Sequence, residues 1–245
     1  MLVAAAVCPC PPLLVPEVAA GAAPELAGTR DACAAAVGVL AASRPDLLVV
    51  VGPADPGAEG PYPAGTPGSF RGFGVDLAVR LGSGPGAAAG QDAERDTGRE
   101  LPYALAVGAW LLGGARWDAC AVAGLGVTEE LTAADAVELG RTTGVRADRV
   151  ALLVMGDGSA CRTLKAPGYL DERAEGFDAL VSRALGGADT GALKALDAGL
   201  ARELKAAGRA PWQVLAGAAE GRGLAGRLLH DEAPYGVAYP VAAWT

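Results

Sequence analysis

The chain alternates continuous apolar runs with longer amphipathic or alanine-rich stretches. Four apolar runs are typical of strands buried on both faces, namely LVAAAV (2–7), PDLLVVVGP (45–53), DACAVAGLG (118–126) and RVALLVMGD (149–157). Helical patterns follow these runs at 16–42, 102–115, 132–143, 171–186, 189–207 and 211–219. This order predicts an α/β fold, a single domain over residues 1–245 with a mixed, mostly parallel central sheet flanked by helices.

Two further segments add strands to this picture, and two others predict loops. The strict alternation of GVDLAVRL (74–81) indicates a half-exposed antiparallel strand, and GVAYPVAAW (236–244) indicates a C-terminal strand. Pro240 marks an edge or a bulge in that last strand, because proline cannot donate to a sheet ladder. The turn-rich segment 53–69 predicts a long loop, and the glycine-rich segment 82–98 predicts a flexible excursion.

Charge and composition exclude several classes of function. Twenty Lys and Arg against 28 Asp and Glu give a net charge of −8, with no basic cluster, which argues against nucleic acid or an anionic membrane as a partner. No run reaches the roughly 18–20 apolar residues of a membrane span. The apolar start lacks the positive region of a signal peptide, so a cytoplasmic location is expected. His230 is the one histidine of the sequence, which excludes mechanisms that need two or three.

Three strand ends carry unusual residues, and these define the candidate site. They are CPCPP after the first strand, GPAD after the second and GDGSAC after the strand at 149–155. Ligands of open α/β sheets lie beyond the carboxyl ends of the strands, so parallel neighbours would bring these loops to one cleft. Cys8 and Cys10 face the same side of an extended chain, either as thiolates for a soft metal or redox chemistry or as buried apolar side chains.

The residues of GDGSAC each have a structural and a chemical interpretation. Asp157 is either a turn former or an acid/base group, and Ser159 is either a cap or a nucleophile. Cys161 is either buried or a nucleophile that His230 would assist. Arg162 is either ordinary surface charge or a group that lowers the pKa of Cys161 and holds an acidic ligand.

His230 opens the polar sequence HDEAPYG (230–236). Such a cluster is typical of a solvated turn, and His230 and Glu232, two apart on one strand face, could also bind a cation. Neither a GxGxxG nor a Walker sequence occurs, so the sequence carries no nucleotide-binding fingerprint.

Several motifs together resemble a known enzyme family. They are PPLLVPE, PDLLVVVGP, MGDGSACRTLKAPGYLDERAEGFD and APWQVLAGAA, which are similar to the class III extradiol ring-cleavage dioxygenase family, with its protocatechuate 4,5-dioxygenase-type catalytic subunits and Memo-like relatives. The resemblance implies an extradiol dioxygenase-like fold and an Fe(II) site of two histidines and a carboxylate. At the positions it implies for the histidine ligands stand Cys10 and Ala54, the latter beside Asp55.

The remaining family positions also differ from the pattern. Ala160 stands where the resemblance implies an acid/base histidine, and Gln213 stands near the implied carboxylate ligand. We therefore expect no ordinary Fe(II) catechol cleavage, and instead a protein that binds a small aromatic or anionic molecule in the cleft or uses a remodelled site.

The residues assigned to this hypothesis fall into three sets. Catalytic candidates are Asp157, Ser159, Cys161 and His230; ligand-binding candidates are Cys10, Asp55, Arg162 and Gln213; metal candidates are Cys10 and Asp55. The alternatives are an active metal-dependent enzyme with a thiolate-containing site, a pseudoenzyme that acts through protein–protein interaction, and an active ring-cleaving dioxygenase. The resemblance and the apolar C-terminal strand together suggest a homodimer.

Overall fold

The computed structural model describes residues 1–82 and 98–245. The excursion expected at 82–98 therefore lies almost wholly outside the described residues. The described strands are β1 (Leu2–Cys8), β2 (Leu47–Pro53), β3 (Gly60–Tyr62), β4 (Pro67–Ser69), β5 (Ala78–Arg80), β6 (Ala121–Val127), β7 (Val150–Met155), β8 (Gly226–Glu232) and β9 (Tyr239–Trp244).

The helices fill the intervals between the strands of the main sheet. They are α1 (Pro16–Ala19), α2 (Ala27–Ala42), α3 (Tyr103–Gly114), α4 (Ala133–Thr143), α5 (Arg173–Gly186), α6 (Thr190–Lys194), α7 (Ala198–Glu203) and α8 (Arg209–Ala219). Short 3₁₀ turns cover Pro12–Leu14, Ala20–Leu26 and Arg71–Phe73. None of the helices in the described part of the chain is long and apolar enough to cross a membrane.

Seven strands form one mixed sheet in the order β3-β6-β2-β7-β1-β9-β8. The four central strands β6, β2, β7 and β1 are parallel, whereas β3, β9 and β8 run antiparallel to their neighbours. Strands β4 and β5 form a separate antiparallel pair, as the alternation of 74–81 indicated. The predicted α/β class and mostly parallel sheet are confirmed.

Alternate residues of the buried strands supply two hydrophobic cores, one on each face of the sheet. On one face, side chains such as Val49, Leu152 and Trp244 pack with α4 to α8. On the other face, side chains such as Val50 and Leu153 pack with α2 and α3. Because both faces are covered, the central strands are apolar throughout, which is the pattern expected of parallel strands.

The stretch 16–42, predicted as one helix, is interrupted. Helix α1 ends at Ala19. The next residue, Ala20, has a φ of 48° in the left-handed region and opens a 3₁₀ segment that contains Pro24 and precedes α2. A proline inside a helix removes a backbone donor and clashes with the preceding turn. The long-helix prediction was therefore wrong for residues 20–26.

Strand β8 was not predicted, and it changes the interpretation of the C-terminus. It pairs antiparallel with β9 and forms an edge of the sheet among the described strands, with a register shift between Leu228 and His230. Strand β9 therefore lies between β1 and β8. Pro240 is consequently not on an edge strand; it lies beyond the residues of β9 that pair with β1.

Candidate functional site

Strands β2, β7 and β1 are parallel neighbours, so the three unusual strand ends leave the same edge of the sheet. Two backbone contacts tie the loops together there. The Gly156 N–H donates to the Cys8 carbonyl at 2.9 Å, and the Cys10 N–H donates to Asp157 Oδ1 at 2.7 Å. The carboxylate that follows β7 thus orders the loop that follows β1, although 147 residues separate the two partners in sequence.

The glycines on either side of Asp157 are required by close packing. A Cβ atom at Gly156 would lie 2.4 Å from the Cα atom of Gly208, just before α8. A Cβ atom at Gly158 would lie 2.7 Å from the Ala238 Cβ, near the start of β9. Both distances are far below van der Waals contact, so Gly-Asp-Gly lets the backbone pass between two neighbouring segments and fixes Asp157.

Asp157 retains some exposed surface but is densely surrounded by protein. Burial raises the pKa of Asp157 from 3.8 to about 7, although hydrogen bonds from the backbone and side chain of Cys10 act in the opposite direction. Burial, and next the Asp157 charge, raise the pKa of the Cys10 thiol. The Cys10 thiol therefore stays protonated at neutral pH, whereas the Asp157 carboxyl can gain or lose its proton there.

Two tyrosines complete this cluster. The Tyr103 side chain, at the start of α3, lies next to the Cys10 thiol and interacts with it electrostatically. The pKa of Tyr103 is raised first by the Cys10 charge and then by burial, and the pKa of Tyr239 on β9 is raised by burial and then by Asp157. Tyr103, Cys10 and Asp157 therefore form a series of neighbouring groups that influence one another's protonation.

Tyr103 also lines a cavity of about 270 Å³ beyond the ends of β2 and β6. The cavity wall combines apolar side chains with charged groups at the rim. Its lining residues are Pro53, Ala54, Asp55, Pro56, Tyr103, Val127, Thr128, Glu129, Glu130, Arg202, Ala207 and Ala210. This is the strand-end cavity referred to below.

Arg209, at the start of α8, holds one wall of the strand-end cavity. Its buried guanidinium donates to the carbonyl oxygens of Glu129 and Leu131 and, at 3.0 Å, to Gln213 Oε1. The Gln213 amide in turn donates to the Lys194 and Leu196 carbonyls at 3.2 and 3.1 Å. Gln213 is fully buried in this structural network and is not among the residues that line the cavity.

Ser159 contacts a carboxylate that the sequence analysis did not single out. Its hydroxyl donates to Asp178 Oδ2 at 2.6 Å, and its N–H donates to Asp178 Oδ1 at 2.8 Å. Arg162 Nη1 contacts the same carboxylate at 3.2 Å, and Asp178 is only 3% exposed. Arg162 is thus directed to Asp178 rather than to the strand-end cavity. Ser159 has a structural role, because both its hydroxyl and its N–H donate to this buried carboxylate.

Cys161 and His230 have different neighbours. The Cys161 thiol is buried and donates to the Leu204 carbonyl at 3.5 Å, and burial raises its pKa. The His230 ring lies on β8, where Nε2 is 3.0 Å from Thr29 Oγ1 and 3.7 Å from Glu232 Oε2. The structure therefore does not bring together the Cys161–His230 pair considered from sequence, whereas the His230–Glu232 pair does form.

The side chains at the edge do not fit the Fe(II) site that the family resemblance implies. Ala54 and Ala160 have no ligand atom, and Cys10 is a fully buried thiol. Within residues 1–82 and 98–245, no three His, Cys, Asp or Glu side chains come together as a group that could hold a metal ion. Cys10 and Asp55 as metal ligands remain a sequence-based prediction.

The comparisons with known proteins bear on the fold alone. No protein-family model matches the chain, and no curated protein matches it. A crystal structure of an uncharacterized protein, JW3007 from Escherichia coli K12, is similar at a TM-score of 0.52 and 16% sequence identity, covering 99% of each chain. At that identity the similarity supports a shared architecture over the whole chain and carries no statement about chemistry.

Sequence reasoning missed Tyr103, Asp178 and Arg209. Tyr103 begins an apolar helix, and Arg209 directly precedes the APWQVL motif. Neither residue stands in a sequence pattern that indicates a role at the site. Asp178 ends the stretch ERAEGFD, where a single acidic residue on an apolar helical face was an available signal for a buried carboxylate.

Proposed function

We propose that the chain binds a small organic molecule in the strand-end cavity and does not carry out Fe(II) catechol cleavage. The observation that supports this most directly is the position of the cavity, beyond the carboxyl ends of parallel strands and beside the Tyr103–Cys10–Asp157 series. Such strand ends are the usual binding position in open α/β sheets. An aromatic or aliphatic body suits the wall formed by prolines, alanines and Tyr103.

The size of the cavity limits the ligand. Sites for drug-sized molecules usually measure about 300–1,000 Å³, so a cavity of about 270 Å³ suits a small metabolite. The Asp157 carboxyl and the Cys10 thiol, with their raised pKa values, support binding or proton transfer better than coordination of a metal ion.

A cavity-filling variant tests this proposal. Ala207 is half-buried in the cavity lining, so Ala207→Leu reduces the space, whereas Ala115→Leu adds the same side chain at an exposed position at the end of α3. We expect small aromatic fragments, screened by ligand-observed NMR, to bind the wild type and Ala115→Leu but not Ala207→Leu. Absence of any bound fragment, or binding that persists in Ala207→Leu, would contradict the proposal.

An oxygen-uptake assay addresses ring cleavage directly. After anaerobic loading with Fe(II), we expect no oxygen consumption with protocatechuate or homoprotocatechuate, because Ala54 and Ala160 offer no ligand atom or proton. Metal analysis of the purified wild type beside Cys10→Ala checks the alternative of a thiolate site. Stoichiometric metal that disappears in the variant would favour that alternative.

A proton-transfer enzyme is a second candidate function, favoured by the Tyr103–Cys10–Asp157 series. Its carboxyl group has a pKa of about 7, and Tyr103 lines the cavity, so a proton could pass between a ligand and Asp157. The test is NMR-detected exchange of α-protons of small ketones and aldehydes in deuterated water. Exchange that is faster with the wild type than in buffer alone, and that is lost in Asp157→Asn, supports this function. Equal exchange rates with the wild type and with Asp157→Asn exclude it for those compounds.

A further inference from the structure

We infer that the ligand of the strand-end cavity is a small amine, with a cationic ammonium group at the acidic rim and an apolar body against the inner wall. This inference rests on the proposed function, since it names the chemical class of the ligand in the same cavity. The charge, the aromatic lining and the size of that cavity support the inference.

The charged groups that line the cavity are predominantly acidic. Asp55, Glu129 and Glu130 contribute three carboxylates, and Arg202 contributes one guanidinium. The Arg202 Nε atom contacts Glu129 Oε1 at 2.8 Å, so these two charges offset each other. Among the described residues, the carboxylates of Asp55 and Glu130 have no hydrogen-bond or ion-pair partner. Two uncompensated acceptors therefore remain for a ligand.

The Arg209 cation lies behind the wall and does not line the cavity. The Arg209 guanidinium donates to the backbone carbonyls of Glu129 and Leu131 and to Gln213. Its donors are directed into the protein, where they hold the β6–α4 loop in place. An anionic ligand would thus be repelled by unpaired carboxylates at the rim and would find no free guanidinium there. This disfavours the small anionic ligand that the sequence analysis considered.

Tyr103 supplies the second feature that favours a cation. It is the aromatic residue among those that line the cavity. An ammonium group is attracted to an aromatic face, and neighbouring carboxylates strengthen the preference. Pro53, Pro56 and Val127 complete an apolar surface for the rest of the molecule.

Three probes of nearly equal shape but different charge isolate the contribution of charge to binding. Phenethylamine is cationic at pH 7, phenethyl alcohol is neutral and phenylacetate is anionic. We expect the amine to bind the full chain about tenfold more tightly than the anion, with the alcohol between them and with the preference declining as salt is raised. Binding is followed by NMR titration, and its site is assigned by loss in Ala207→Leu.

Four variants test the named charges. Asp55→Asn and Glu130→Gln should each weaken amine binding about two- to fivefold and leave alcohol binding unchanged. Arg202→Gln should strengthen amine binding, because it frees the Glu129 carboxylate. Asp118→Asn removes one negative charge from an exposed position before β6, at the opposite edge of the sheet, and should change nothing.

The probes distinguish failure of this inference from failure of the proposed function. If the alcohol binds in the cavity and the amine binds no more tightly, the amine class is wrong while small-molecule binding stands. If phenylacetate binds best, the inference is likewise overturned. If no probe or fragment binds, both proposals fail. Amine preference that is unchanged in Asp55→Asn and Glu130→Gln would show that the rim carboxylates do not determine it.

Discussion

Replacement of Asp157 by asparagine should remove a specific pH dependence of stability. The folded state holds the Asp157 proton up to a pKa of about 7, whereas the unfolded state releases it near 3.8. Between these values the folded state binds more protons, so Asp157 makes the protein less stable as pH rises from about 4 to about 7. Below this window both states are protonated, and above it both are ionised.

The size of the effect follows from the two pKa values. Their difference of about three units corresponds to about 4 kcal/mol, which is an upper limit for the change in the free energy of unfolding. Asparagine is neutral at every pH and its carbonyl oxygen can still accept from the Cys10 N–H, so the variant keeps the contact seen at 2.7 Å. We expect Asp157→Asn to gain at least about 2 kcal/mol relative to wild type between pH 4 and pH 8.

Urea unfolding at half-unit steps between pH 4 and pH 8 measures this difference. The other carboxylates are present in both proteins, so their effects on stability cancel in the comparison. For example, hydrogen bonds from Arg173 lower the pKa of Asp171 to about 2, so the contribution of Asp171 to stability is lost only below pH 4. Asp118→Asn serves as the exposed control and should follow the wild type. Parallel stability curves for wild type and Asp157→Asn across the whole range would refute the argument that Asp157 is protonated in the folded state.

Three further predictions follow from packing and burial. Gly156→Ala places a Cβ atom 2.4 Å from the Gly208 Cα, and urea unfolding should show a loss of about 2 kcal/mol or more, whereas an unchanged midpoint would mean that the backbone shifts freely. Ser159→Ala removes the 2.6 Å hydrogen bond to the buried carboxylate of Asp178 and should cost about 1–3 kcal/mol in the same assay; no loss would exclude a capping role. Of the five cysteines, the half-buried Cys120 should react first with a disulfide reagent in the native protein, and Cys120→Ser should abolish that phase; a surviving fast phase would identify a different accessible thiol.

The course of the sheet could be predicted from the sequence because its central strands are buried on both faces. Continuous apolar runs such as Leu47–Pro53 and Val150–Met155 have few alternatives to a parallel strand in a chain of this composition. Strand β8 escaped prediction because Gly226–Glu232 mixes charged, apolar and polar residues at an edge, where its pairing with β9 determines the conformation. The break at 20–26 has one cause that the sequence shows, Pro24, and one that no periodicity reveals, the left-handed backbone angle of Ala20.

The place of the candidate site was predictable, but the partners of its residues were not. Parallel strands bring their carboxyl ends to one edge, and this alone places Cys10, Asp55 and Asp157 there. Which side chain meets which depends on contacts between distant segments, as with the Cys10 N–H and Asp157 or with Ser159 and Asp178. A single sequence contains no record of such pairings.

At the strand-end edge, backbone packing determines the shape, whereas exposed side chains determine the charge of the cavity. Glycines at 156 and 158 pass between tightly packed neighbours, and the Asp157 side chain orders the loop at Cys10, so packing and this hydrogen bond determine the shape of the edge. The cavity beside it is lined by proline, alanine and Tyr103 together with charged side chains. A change of charge at exposed residues such as Asp55 and Glu130 removes no buried contact, so the fold should tolerate it. Variants of these two residues can therefore test the proposed amine preference without disturbing the architecture.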